Sequence, residues 1–122
     1  MKYSETIIKL LPISLRNKLP HKIVVAEVDK RESQRLNRKY RRKDKPTNVL
    51  SFRYGSEYGE IIVCPVVIRK EAKEQGNTYK YQMTWMILHG ILHLVGIHHE
   101  KSKKMAERIG GLERQILHKL FS

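Results

Sequence analysis

Apolar and polar positions divide the chain into short segments of recognisable period. Residues 4–19 carry Ile7, Leu10, Leu11 and Leu15 roughly in helical phase, with Pro12 placed to break or kink the run. After Pro20, residues 22–29 (Lys-Ile-Val-Val-Ala-Glu-Val-Asp) are rich in β-branched side chains and apolar on both faces, which predicts a well-buried strand. Residues 31–40 change period. Leu36 and Tyr40 stand four apart among Arg31, Gln34, Arg35, Arg38 and Lys39, predicting a short helix with one narrow apolar stripe and a basic outer face.

A loop over 40–48, stiffened by Pro46, leads into a strand over Val49–Tyr54. Gly55 and Gly59 bracket a turn in this reading, and a third strand over Glu60–Cys64 closes an antiparallel hairpin. Pro65 suits the first turn of a helix that runs to Gln75 and stops at Gly76. The segment from about Tyr81 to Val95 is apolar nearly all round, with Met83, Met86, Ile87, Ile91 and Leu94, and predicts the most buried helix of the fold. A last helix begins near Ser102, a good N-cap. Its stripe is Met105, Ile109, Leu112, Ile116 and Leu120, and Lys103, Lys104, Glu107, Arg108, Glu113 and Arg114 are read as pointing away.

The buried helix also carries the candidate chemistry. Residues 89–99 hold four of the six histidines. His89 and His93, four apart, fall on one helical face, so two ring nitrogens can converge on one point. Gly96 follows three residues later, where positive φ ends a helix and turns the chain back. Either His98 or His99 can then supply a third nitrogen, and the offset favours His99. A His-x-x-x-His pair alone is more often two ordinary helix residues. Three histidines with the intervening glycine instead point to a catalytic metal site, because closed structural sites use four ligands and usually cysteines. His21 and His118 are isolated and read as surface residues.

Length and composition narrow the rest. At 122 residues, 40% hydrophobic and 30% charged, the chain suits a single globular domain over 1–122. It contains no apolar run long enough for a membrane span, and the N-terminus lacks the features of a secretory signal. One cysteine, Cys64, sits in an apolar run and reads as a buried small hydrophobe; a cytoplasmic setting is expected. The net charge of +13 exceeds the magnitude of about 2–8 that suffices for solubility in a small domain, which points to a polyanionic partner, nucleic acid before membrane. Arg41, Arg42, Lys43 and Lys45 concentrate that charge in the loop before the second strand.

Three blocks in order resemble the YbeY-type endoribonucleases of ribosomal RNA maturation: Leu36-Asn37 through Tyr40-Arg41 with Thr47-Asn-Val-Leu-Ser-Phe52, then Gly59-Glu-Ile-Ile-Val63, then His89-Gly-x-Leu-His-Leu-x-Gly-x-x-His99. The likeness covers residues 22–100 or so. It implies an α+β, zincin-like fold: a small mixed sheet of three or four strands packed with about five helices around a central metal-binding helix. It further implies one Zn2+, or Ni2+ or another transition metal, on His89, His93 and His99, and a functional arginine at Arg41. The implied activity is single-strand-specific, metal-dependent cleavage in ribosomal RNA maturation and ribosome quality control. Single-stranded RNA, ribosomal RNA and ribosomal small-subunit proteins are the implied partners. Two positions depart from the pattern. His98 stands where the family usually has Asp, removing a carboxylate that can orient an imidazole and offering a donor or a further ligand. Glu60 stands for a second Asp, keeps its charge and, with His98, is expected to help orient the metal ligands from behind.

The rival chemistry with the same histidine offsets, four and ten, is zinc peptide hydrolysis. Those enzymes need Glu directly after the first His as general base, and here that residue is Gly90. RNA cleavage fits better. A three-His metal lowers the pKa of bound water to about 7 and polarises a phosphoryl oxygen. Arg41 is suited to the phosphate by its planar fork of donors, and Arg38, Lys39, Arg42, Lys43 and Lys45 to its neighbours. A non-catalytic ribosome assembly factor with a structural metal is the other alternative, since charge and partner class do not require catalysis.

Overall fold

The structure, a computed structural model, describes residues 3–96 and 103–122. Six helices and three strands follow one another along these residues: α1 (Tyr3–Leu10), α2 (Ile13–Arg16), β1 (Lys22–Glu27), α3 (Lys30–Arg41), β2 (Val49–Tyr54), β3 (Tyr58–Val63), α4 (Pro65–Gln75), α5 (Tyr79–Val95) and α6 (Lys103–Phe121). The sheet is mixed, in the order β1-β3-β2. β1 runs parallel to β3, and β2 pairs antiparallel with β3 as a hairpin. This is the α+β architecture that the resemblance implies, with three strands and one short helix more than the five expected.

The core lies between one face of the sheet and α5, with α1, α4 and α6 packed round that helix. Ile61, Ile87, Leu88 and Ile91 are fully buried there, joined by Ile7 from α1 and Ile68 from α4. A mostly apolar surface suits α5 because it is enclosed on several sides, as its composition predicts. Thr78 starts it by accepting a hydrogen bond from the Tyr81 backbone, two residues earlier than the apolar pattern suggests. Gly96 stops it at φ 98°, donating its N–H to the carbonyls of Leu92 and His93.

Three local expectations need correction. β1 is an edge strand with half-buried interior residues, not one enclosed on both faces. Its β-branched run reports strand propensity, whereas its place in the sheet is set by which strand it pairs with. Gly59 belongs to β3 and not to the turn, which spans residues 55–57. The buried face of α3 is not only Leu36. Ser33 and Asn37 share it, and Tyr40, predicted to extend the apolar stripe, is 54% exposed. Cys64 is buried and free, and His118 is exposed, both as expected; His21 is also exposed and meets Glu57. Ser102 lies outside the described residues.

Candidate active site

α5 packs so closely on the sheet that a side chain at position 90 has no room. A Cβ built on Gly90 would meet the Ile61 side chain and Ser51 Oγ, each at 2.9 Å. The Ser51 hydroxyl donates to the Gly90 carbonyl at 3.1 Å and ties the second strand to the helix at this point. The peptidase base that the sequence lacks is therefore one the packing excludes.

One turn of helix presents His89 and His93 side by side, with Nε2 of one 3.0 Å from Nε2 of the other. Two nitrogens bound at about 2.0–2.1 Å to one tetrahedral cation stand roughly 3.3–3.4 Å apart, so the observed spacing is within a few tenths of an ångström of a shared metal edge. The other side of the His89 ring is engaged too. Glu113 on α6 places Oε2 3.1 Å from His89 Nδ1, with side-chain exposures of 9% for Glu113 and 29% for His89. A carboxylate can only accept, so Nδ1 carries the hydrogen and Nε2 keeps its lone pair for the His93 side. This pair suits a borderline-soft divalent cation. Among the described residues no third His, Cys, Asp or Glu completes a group of metal ligands. His99 and His98, the candidates for that place, lie outside the described residues.

Glu113 was read from the sequence as pointing away, and the structure reverses this. The signal was present: position 113 lies four residues after Ile109 and three before Ile116, inside the apolar stripe, and a lone carboxylate there needs a partner. The expected helper, Glu60, sits elsewhere. Gly59 and Ile61 face α5, so Glu60 between them projects from the opposite face of the sheet, where it accepts from the Tyr58 hydroxyl at 3.1 Å. That bond holds the Tyr58 phenol above its ordinary pKa.

The two histidines open onto a groove of about 410 Å³ whose other wall is built from the end of α3 and from β2. Tyr40, Arg41, Thr47, Asn48 and Phe52 line it opposite His89 and His93. Arg41 is exposed and comes last in α3, before Arg42 ends the helix in the left-handed conformation at φ 57°. The loop that follows is held by side chains. Ser33 Oγ donates to the Thr47 carbonyl at 2.7 Å and accepts from the Thr47 N–H at 2.9 Å. Asn37 donates to the Lys45 carbonyl at 2.8 Å, and Asn48 donates to Glu71 on α4 at 2.9 Å. The remaining basic candidates, Arg38, Lys39, Arg42, Lys43 and Lys45, are all exposed; Arg38 reaches Asp44 at 3.4 Å. Nine of the 25 basic residues lie between positions 30 and 45, against two acidic ones, so this wall carries much of the excess charge.

Comparison with known proteins shows the family. A family model described as Endoribonuclease YbeY matches residues 1–121. A protein named Endoribonuclease YbeY from Alkalilimnicola ehrlichii is 41% identical over 107 residues, covering 80% of this chain and 64%, just under two thirds, of that protein. Another of the same name from Acinetobacter baumannii is 40% identical over 126 aligned residues, covering 92% of this chain and 80% of that protein. The solution structure of TM1509 from Thermotoga maritima matches with a TM-score of 0.63 at 30% identity, over 98% of this chain and 84% of that one.

Proposed function

The chain belongs to the YbeY family of endoribonucleases, and we propose that residues 1–122 form one metal-dependent domain that cleaves single-stranded RNA in the groove between α5 and β2. The observation that carries the reading is that Arg41 lines the same groove as His89 and His93. One wall offers a pair of imidazole rings and the other a fork of donors matched to a phosphate.

In this reading His89, His93 and His99 hold a zinc-type cation, with nickel or another transition metal as a substitute. When bound, it supplies Lewis-acid polarisation of a phosphoryl oxygen and a source of hydroxide at neutral pH. Everything else falls to the chain's own groups. Glu113 fixes the tautomer and tilt of His89 so that Nε2 faces the groove. Arg41 donates to the non-bridging oxygens of the scissile phosphate and stabilises the charge that develops there, which a lysine point charge does less well. Arg38, Lys39, Arg42, Lys43 and Lys45 hold adjacent phosphates, which makes binding fall steeply with salt. Ribosomal RNA is the substrate that family membership favours, in maturation and quality control of the ribosome, beside small-subunit proteins and in the cytoplasm. Among the described residues no helix is long and apolar enough to cross a membrane.

The test pairs metal analysis of the purified chain with cleavage of a single-stranded RNA oligonucleotide by wild type and His93→Ala. We expect about one equivalent of transition metal in the wild type, loss of that metal in the variant, and cleavage in the wild type only. Cleavage that survives His93→Ala belongs to a contaminating nuclease and overturns the proposal. Metal retained by the wild type without any cleavage makes the chain a non-catalytic RNA-binding factor.

A further inference from the structure

The groove wall opposite the histidines has two features that phosphate binding does not use. The first is Tyr40. Next to Arg41 in sequence, this residue is 54% exposed and lines the groove. Phe52 on β2 braces it edge-on, with ring centroids 5.0 Å apart and an interplanar angle of 64°. Among the described residues the cation over the ring is Lys39 Nζ, 5.2 Å from the centroid, a surface contact of the weak kind that yields to a stacked base.

The second is the free edge of β2. β3 is its only strand neighbour among the described residues. The Cys64 N–H donates to the Asn48 carbonyl at 2.9 Å, so Asn48 turns its peptide groups toward β3. One residue on, Val63 gives its carbonyl to Val28 on the β1 side and leaves its opposite number, Val49, unmatched. Antiparallel pairing alternates, so the N–H and C=O groups of Val49 and Ser51 point out of the sheet into the groove. An aromatic face and a row of backbone donors and acceptors thus lie together, with Arg41 at one side.

We propose that Tyr40, braced by Phe52, and the open edge of β2 at Val49 and Ser51 form a subsite for one unpaired nucleobase, next to the phosphate that Arg41 holds. The base stacks on Tyr40 and offers its pairing edge to β2. This rests on the endoribonuclease reading and gives it a physical basis for single-strand selectivity. A base in a duplex has both faces stacked and its pairing edge occupied, so it can satisfy neither half of the subsite.

The probe is a 2′-O-methyl single-stranded oligonucleotide with one 2-aminopurine, moved base by base along the strand, and its matched version with an abasic residue at the same place. We expect saturable quenching of 2-aminopurine at one position by wild type and by Tyr40→Phe, and its loss in Tyr40→Ala. Tyr40→Ala should bind the intact strand about tenfold more weakly, or worse, while binding the abasic strand as the wild type does. Equal quenching by Tyr40→Ala overturns the subsite. So does an equal loss of affinity for intact and abasic strands, which would mark damage to the charged loop. Cleavage of the all-RNA strand by the metal-loaded wild type separates this from the parent reading. Quenching without cleavage removes the nuclease and keeps the base site; cleavage at wild-type rate by Tyr40→Ala removes the base site and keeps the nuclease.

Discussion

α5 and the α3–β2 connection face one another across the groove, and opposite means hold them in place. α5 is fixed by apolar burial and close approach: Ile87, Leu88 and Ile91 are fully buried, and Gly90 lets the helix backbone sit against Ile61. The connection from Arg41 to Asn48 has little apolar surface to bury and is pinned by polar side chains, with Ser33 and Asn37 gripping the backbone of Thr47 and Lys45. A metal needs ligands held to a few tenths of an ångström, which a packed core provides. A polyanion needs charge that stays hydrated, which a tethered surface loop provides. The site is assembled by setting a rigid wall against a charged one.

This contrast can be broken from either side. His93→Ala is the largest break: metal should be lost and cleavage should fall to background, while circular dichroism stays that of the wild type. Gly90→Ala attacks the rigid wall through packing. The new Cβ meets Ile61 and Ser51 Oγ at 2.9 Å, and overpacking of this kind costs about 1–3 kcal/mol, only partly offset by the better helix propensity of alanine. Thermal or urea unfolding measures it, and an unchanged midpoint would mean that α5 stands off the sheet. Glu113→Gln sharpens the same side more gently. Loss of the carboxylate partner of His89 should weaken metal binding by about 10–100-fold in a chelator competition. Affinity equal to wild type would leave Glu113 a purely structural residue. On the charged side, Ser33→Ala removes both bonds to Thr47 and should cost about 1–2 kcal/mol. It should slow cleavage while leaving metal affinity unchanged, and weakened metal binding would show that the two walls are not independent.

The same contrast explains what could be read from the chain. Strong punctuation made α4 and the end of α5 legible, because Pro65, Gly76 and Gly96 each have a backbone reason to stand where a helix starts or stops. The β2–β3 hairpin followed from two β-rich runs with a short link. The meeting of His89 and His93 was legible because the two lie four residues apart on one face of a helix. What failed was non-local. Nothing in residues 22–27 says that, among the described residues, β1 pairs on one side only. Glu113 and His89 meet 24 residues apart because α6 docks on α5. Glu60 carries the right charge but alternates onto the wrong face of its strand. The polar grip of Ser33 and Asn37 on the loop was hidden because small polar residues on a basic helix look like solvent-facing positions until the loop is seen to fold back over them. Arg41 reached the site through the resemblance, and its place in the groove came from the structure alone.

The proposal that the two walls act on one phosphate is most directly tested at Arg41. Arg41→Ala, loaded to the same metal stoichiometry as the wild type, should cleave single-stranded RNA about 10²–10³-fold more slowly, as expected for loss of a donor to developing charge. Its metal affinity should be unchanged, and Arg41→Lys should recover only a small part of the rate. Cleavage by Arg41→Ala at the wild-type rate would contradict the account.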